Sequence, residues 1–144
     1  MKNFIVEINN IRITSKITQK EFVRIFPKFK LKIYGDIFDY HIKGLIFNMK
    51  YLSDFFITFR KENIVEICVL PTNERLNILK NNLKESYKDY NKSLESIYGK
   101  RLSNIFVKQK TWRFKDAILE HYIFERFGIE ERIEIFFKKR VKNK

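Results

Sequence analysis

Six short stretches in the first half of the chain have the apolar pattern of β-strands, some alternating with polar residues and some apolar at most positions. These stretches are residues 4–8, 11–14, 29–33, 40–47, 55–59 and 64–70. Asn9, Asn10 and the loop 61–63 tolerate positive φ, so the pattern predicts two β-hairpins, with Asn63 in the left-handed position of the second. Gly44 suits a bulge in the fourth stretch.

The patterns of two of these stretches also predict where the strands lie in a sheet. Lysines alternate with the apolar residues of 29–33, which predicts a strand with one solvated face. Residues 64–70 are apolar at most positions and end at Pro71, which predicts a strand in the centre of its sheet.

Two segments have helical spacing instead. Thr18 and Glu21 have the form of a capping box, and Pro27 stops the apolar run that follows, so a short helix is predicted at 19–26. A long helix is predicted at 74–98, where apolar residues recur every three or four positions. Its apolar stripe consists of Leu76, Leu79, Leu83, Tyr87, Tyr90, Leu94 and Ile97, with Gly99 as the C-terminal glycine. Tyrosines in the stripe favour packing on a sheet over a coiled coil.

The last third of the chain is predicted to be mostly extended. Residues 102–107 read as a strand. Residues 112–127 fit either a helix or a strand, and we favour one long strand because Gly128 and the pair 130–131 have the composition of a turn. Residues 133–137 alternate again and are predicted to pair with that strand.

Length and composition favour one folded domain. A chain of 144 residues, 44% of them hydrophobic, is long enough to bury a core of its own. We predict a single α+β domain at 1–137, an antiparallel sheet of about six strands packed by one long and one short helix, with a basic tail at 138–144. A single cysteine, Cys68, excludes an internal disulfide. The chain has no apolar run typical of a signal peptide or membrane span, so a cytoplasmic location without membrane contact is expected.

The net charge of +13 is concentrated in three stretches. Residues 16–32, 100–115 and 138–144 are strongly basic, and the rest of the chain is net acidic. A composition rich in Lys, Asn, Ile, Phe and Tyr, as an AT-rich genome produces, raises the total charge but does not explain the clustering. The clusters predict an acidic partner, either a polyanion or the face of a protein.

Candidate catalytic groups are few. His121 lies beside Glu120 and has the type of a general base, but an ordinary strand residue explains it better. Cys68 lies in an apolar strand, where a free thiol behaves as a small hydrophobe. Asp36 and Asp39 could form a carboxylate pair, but a loop with polar residues accounts for them equally well. His41 and His121 lack a third ligand at metal-binding spacing. We therefore predict no enzymatic activity, no metal and no cofactor.

The segment 108–115 interleaves cations with aromatic residues. Such a surface neutralises phosphates while Trp112 stacks on a base, which is one interpretation. The other is a strand with Trp112 and Phe114 facing the core and Arg113 and Lys115 facing solvent. A ribonucleoprotein motif is absent from the sequence.

An acidic segment lies between the second and third basic stretches. Its acidic residues are Asp116, Glu120, Glu125, Glu130, Glu131 and Glu134. A nucleic-acid-binding protein must turn this segment away from the polyanion, whereas a protein partner uses both signs of charge at once.

The order of these features resembles a class of small bacterial α+β proteins. That class includes the immunity proteins of polymorphic and contact-dependent growth inhibition toxin systems. The resemblance rests on residues 4–8, 11–13, 17–22, 26–27, 55–59, 64–70, 97–99, Trp112, His121 and 125–135.

The resemblance implies a protein without catalytic activity that binds one cognate toxin in the cytoplasm and blocks its active site. The strong positive charge then implies a toxin with an acidic face. Tryptophan and arginine are the usual anchors of such interfaces, flanked by charges that speed encounter. The predicted partner-binding residues are Lys108, Lys110, Trp112, Arg113 and Arg126. The alternative is a nucleic-acid-binding protein that uses the same basic stretches and the tail.

Overall fold

The computed structural model describes residues 2–47, 49, 52–71, 80–100, 109–124 and 130–138. Within these residues nine strands and two helices follow one another. They are β1 (Ile5–Ile8), β2 (Ile11–Thr14), α1 (Gln19–Ile25), β3 (Lys30–Tyr34), β4 (Ile37–Gly44), β5 (Ser53–Arg60), β6 (Asn63–Pro71), α2 (Lys80–Tyr98), β7 (Gln109–Arg113), β8 (Ala117–Phe124) and β9 (Glu130–Phe137).

Seven strands form one antiparallel sheet in the order β3-β4-β5-β6-β9-β8-β7, and β1 and β2 form a separate hairpin. The α+β class is confirmed, with seven strands in the main sheet rather than about six. The predicted central position of β6 is also confirmed, since three strands lie on either side of it.

The turns of the two predicted hairpins differ in detail from the prediction. Asn9 and Asn10 have φ of 53° and 65°, as a tight hairpin turn requires. In the β5–β6 hairpin Lys61, with φ of 55°, takes the left-handed position predicted for Asn63. Asn63 instead begins β6 and pairs with Arg60, so the connection is shorter than predicted.

The predicted bulge lies elsewhere. β4 ends at Gly44, and this position requires glycine because a Cβ there would lie 2.5 Å from Asn9 Oδ1. Asn9 uses that oxygen to accept the amide of Leu45 at 2.9 Å. The register shift occurs in the β5–β6 pair, where Thr58 faces Glu66 and the next residue faces Ile64.

Both predicted helices are present in the described residues. Thr18 Oγ1 caps α1 by accepting the amide of Glu21 at 3.2 Å, and its hydroxyl donates to the Glu21 carboxylate. α2 ends as predicted at Gly99, which has φ of 98° and donates its amide to Glu95 O. Ile97, predicted to be in the apolar stripe, is 44% exposed, and the adjacent Tyr98 packs inward instead. Residues 74–79 of the predicted helix lie outside the described part of the chain.

The segment predicted as one long strand at 112–127 is extended but broken. β7 ends at Arg113 and β8 begins at Ala117. The break is held by Asp116, whose carboxylate accepts the amide of Phe4 at 2.7 Å and the hydroxyl of Ser15 at 2.6 Å. The strand predicted at 102–107, residues 125–129 and residues 139–144 of the tail lie outside the described residues.

Residues 130–131, predicted as a turn, belong to β9. The side chain of Glu131 is fully buried against His121 and Ser86, and these contacts keep the chain extended at this point.

One face of the sheet holds the core. Phe22 of α1 packs against Tyr40 and Phe59, with ring centroids 5.0 and 5.5 Å away. Phe4, just before β1, packs its ring on Phe114, and α2 contacts β8 and β9. We call this the helix-side face and the opposite one the open face. Neither helix in the described part of the chain is long and apolar enough to cross a membrane.

Candidate functional site

His121 lies at the centre of a buried hydrogen-bond chain on the helix-side face. Its Nε2 is 2.5 Å from Glu131 Oε2 of the adjacent strand β9. Ser86 Oγ of α2 donates to the other carboxylate oxygen at 2.5 Å, and Asn91 Oδ1 of α2 lies 2.6 Å from His121 Nδ1. Tyr87 stacks on the imidazole with ring centroids 4.4 Å apart. These hydrogen bonds therefore connect α2 to β8 and β9.

This hydrogen-bonded group of Ser86, Glu131 and His121 has the residue types of a hydrolytic triad, but in the wrong order. In such a triad the imidazole lies between hydroxyl and carboxylate, so that it can take the hydroxyl proton. Here the Glu131 carboxylate lies between Ser86 and His121, and the side chains of His121 and Glu131 have no exposed surface. The imidazole can neither activate the hydroxyl nor meet a substrate. The arrangement serves to hold the fold together.

The protonation of His121 is coupled to the orientation of Asn91. Burial lowers the pKa of His121, because desolvation penalises the imidazolium more than the Glu131 carboxylate favours it. A neutral ring that donates from Nε2 to Glu131 has a lone pair at Nδ1 and needs the amide NH2 of Asn91 there. The imidazolium donates from both nitrogens and needs the amide oxygen. The structure has the Asn91 oxygen toward Nδ1, which is the orientation that suits the imidazolium, so the neutral ring with its proton on Nε2 requires the Asn91 amide to be turned over.

The remaining polar candidates have separate partners. His41 Nε2 lies 2.9 Å from Asp54 Oδ1 on the open face, and its ring stacks on Phe56 with centroids 4.4 Å apart. Asp36 faces Arg60 in a long ion pair, whereas Asp39 accepts from the Thr58 hydroxyl, so the two aspartates have separate partners and do not act as a pair.

The single cysteine is a weak nucleophile in the folded protein. Burial raises the pKa of the half-buried Cys68 thiol to about 12, so the thiolate is a very small fraction at neutral pH. Among the described residues no group of three or more His, Cys, Asp and Glu side chains is placed to hold a metal ion.

The predicted partner-binding residues do not form one exposed group. Lys108 and Arg126 lie outside the described residues. Lys110 forms an ion pair with Glu95 of α2, and Trp112 is fully buried, with Nε1 donating to Gly99 O at 2.8 Å. Both side chains thus hold β7 against the end of α2, which leaves them unsuited to anchor a partner.

The alternation predicted for this segment is confirmed. Trp112 and Phe114 are buried, and Arg113 and Lys115 are exposed. Arg113 is the one described member of the predicted set whose side chain faces solvent.

The strand register divides the charges of the open face by position. Strands β3 and β4 and the residue pair preceding them place lysines there, whereas β6, β8 and β9 place mainly carboxylates. The lysines are Lys28, Lys30, Lys32 and Lys43, with Asp39 and Asp54 among them, and the carboxylates are Glu66, Glu120, Glu130 and Glu134, with Arg132 among them. The open face is therefore net basic at the β3–β4 margin and net acidic across β6, β9 and β8, with Arg113 of β7 at the far edge.

The carboxylates of the open face repel one another. Glu120 pairs directly opposite Glu134 across β8 and β9, an arrangement that destabilises a sheet. The pKa of Glu66 is raised by partial burial and further by the negative charges of Glu134 and Asp39. Arg132 offsets part of this repulsion through its contacts with Glu130 and Glu134, and Tyr122 donates its hydroxyl to Glu134 at 2.5 Å.

The basic margin of the open face contains a shallow cleft of about 310 Å³. Its lining consists of Lys28, Phe29, Lys30, His41, Ile42 and Lys43. All five residues of β3 beside it are exposed, although one solvated face was predicted. The prediction failed because α1 packs over Tyr40 and Phe59 and leaves the helix-side residues Leu31 and Ile33 uncovered.

No protein-family model, curated protein or solved structure matches this chain. The function therefore has to be argued from the buried network and from the charged surface.

Sequence reasoning found His121 but gave it the wrong neighbour. Glu120, adjacent in sequence, points to the open face, whereas Glu131 lies two residues from Ile133, the residue paired with His121. Because side chains two apart share a face of a strand, a register for this hairpin would have identified Glu131.

Proposed function

We propose that this protein binds another protein without catalysing a reaction, and that it is an immunity protein which neutralises a cognate bacterial toxin in the cytoplasm. The observation that carries the proposal is the division of charge on the open face. Lysines such as Lys30 and Lys32 line the β3–β4 margin, and carboxylates such as Glu120 and Glu134 occupy β8 and β9. A protein surface with an acidic and a basic region can complement both.

A polyanion fits this surface less well. A nucleic acid presents phosphates along its whole length and gains affinity from each cation that neutralises one. A nucleic-acid strand that crosses the open face from the lysines of the β3–β4 margin would meet Glu66, Glu120 and Glu134. The aromatic residue best suited to base stacking, Trp112, is fully buried.

The retained repulsion between carboxylates also favours a binding role. Like charges placed opposite each other cost stability, and proteins keep such local conflicts mainly where function requires them. A cation from a partner between Glu120 and Glu134 would relieve the conflict on binding. Charges of both signs speed encounter and fix the orientation of the complex.

The test is growth rescue. The chain is co-expressed with the toxin domain encoded by the gene immediately upstream, and the wild-type chain is expected to restore growth. The variant E120K should lose rescue while remaining folded, and K16E/K20E, which changes exposed residues near α1, should keep it. Failure of the wild-type chain to restore growth contradicts the proposal.

A further inference from the structure

We infer that β3 is the docking edge for an extended acidic segment of the partner protein, which adds one more strand to the sheet. The inference rests on the proposed protein-binding function and specifies the surface and the binding mode. β3 stands at the end of the strand order and, among the described strands, pairs with β4. The hydrogen-bonding groups of its other edge are therefore directed outward, as strand addition requires.

The two edges of the sheet differ in how well they are protected. At the β7 edge Trp112 is fully buried and Lys110 is held by Glu95 of α2. At the β3 edge all five residues from Lys30 to Tyr34 are exposed. Ile33 is 57% exposed and Tyr34 is 60% exposed, so this edge combines accessible backbone with accessible apolar surface.

The side chains of β3 define the chemistry of the incoming strand. Lys30 and Lys32 lie on the open face, and Leu31 and Ile33 lie on the helix-side face. A partner strand that alternates carboxylates with apolar residues would place each set beside its complement. The cleft lined by Lys28 and Lys30 offers a further carboxylate a site at the start of β3.

The charge also distinguishes this occupant from a second copy of the chain. Antiparallel pairing of two β3 strands would bring the lysines of both copies together, which destabilises the pair. Asp39, which faces Lys32 across β3 and β4, offsets only part of the positive charge of this margin. A nucleic acid would leave Leu31 and Ile33 without an apolar complement.

The probe is a cyclised hairpin peptide whose outer strand alternates Glu and Val. Its binding to the full chain is followed by fluorescence anisotropy, and the protection of β3 amides by hydrogen exchange. We expect saturable binding, with K30E/K32E weakening it at least about tenfold. The matched control K16E/K20E makes the same change in formal charge and should weaken binding less than about twofold. A peptide with Lys in place of Glu should bind K30E/K32E better than wild type.

Three results overturn the inference. Equal losses in K30E/K32E and K16E/K20E would mean that only long-range charge attracts the peptide. Absence of new amide protection in β3 would place the peptide elsewhere. Single-stranded RNA that binds wild type with the same dependence on Lys30 and Lys32, and displaces the peptide, would assign the edge to nucleic acid. In the growth assay, rescue by K30E/K32E as strong as by wild type refutes the edge while leaving the proposed function intact.

Discussion

The buried pair of His121 and Glu131 gives the sharpest prediction about stability. Replacement of Glu131 by Met keeps the volume but removes the acceptor of two buried donors, Ser86 Oγ and His121 Nε2. Each buried donor left without an acceptor costs about 1–3 kcal/mol, so E131M should lower the free energy of unfolding by about 4 kcal/mol. Replacement of His121 by Leu leaves Glu131 buried with Ser86 alone and should cost about 3–5 kcal/mol. Either loss is a large part of a typical stability of about 5–15 kcal/mol.

The double variant separates a coupled pair from two independent contacts. H121L/E131M removes the buried carboxylate together with its imidazole partner and should be about 2 kcal/mol or more stable than the sum of the single losses predicts. Urea unfolding followed by the fluorescence of Trp112, the single tryptophan, measures all three variants. E120Q is the control and should change stability by less than about 0.5 kcal/mol, because Glu120 is half-buried on the open face. Losses that add within about 0.5 kcal/mol refute the coupling.

His121, Asp116 and Cys68 each give one further prediction. Because the pKa of His121 is lowered in the folded state, the unfolded chain binds the extra proton first as the pH falls. The free energy of unfolding should therefore be independent of this group above about pH 6.5 and fall by up to about 1.4 kcal/mol per pH unit below it. Urea titrations at several pH values should show a flatter profile for H121L than for the wild type. D116A should lower the free energy of unfolding by about 2 kcal/mol and speed amide exchange in β1, since Phe4 and Ser15 lose their acceptor; unchanged exchange there would contradict this role. Cys68, with a pKa of about 12, should react with a thiol reagent at about pH 8 at least a hundredfold more slowly in the native than in the urea-unfolded chain, and similar rates would contradict the raised pKa.

The sequence predicts local features of this fold well, because they depend on neighbouring residues. The turn at Asn9 and Asn10, the cap at Thr18 and the end of α2 at Gly99 are all where the residue types place them. Each depends on backbone preferences or on hydrogen bonds that span a few residues. The alternation around Trp112 was equally accessible, because period two fixes which residues share a face.

Features that depend on distant residues were not predictable in this way. The break between β7 and β8 is held by Asp116, whose partners Phe4 and Ser15 are 112 and 101 residues away. The burial of Glu131 depends on α2 and on the register of β8 and β9. The exposure of β3 depends on where α1 ends over the sheet. Local patterns predict where the strands lie along the sequence but not which distant residues pack against them.

The candidate surface was predicted in its chemistry more than in its residues. Positive charge in 16–32 was identified, and three of its lysines, Lys28, Lys30 and Lys32, line the β3–β4 margin. The emphasis on Trp112 and Lys110 came from composition, which does not reveal that α2 provides Gly99 O and Glu95 to hold them. Only the sheet register shows that basic and acidic residues from distant segments share one open face.

The most direct test of the central claim, that the partner is a protein, is calorimetric titration of the full chain with the purified upstream toxin domain and, separately, with single-stranded RNA. At about 150 mM salt we expect a saturable complex with the toxin domain, with a Kd below about 100 nM, and no saturable binding of RNA. Saturable RNA binding with a steep salt dependence, together with no heat of binding to the toxin domain, would contradict the account.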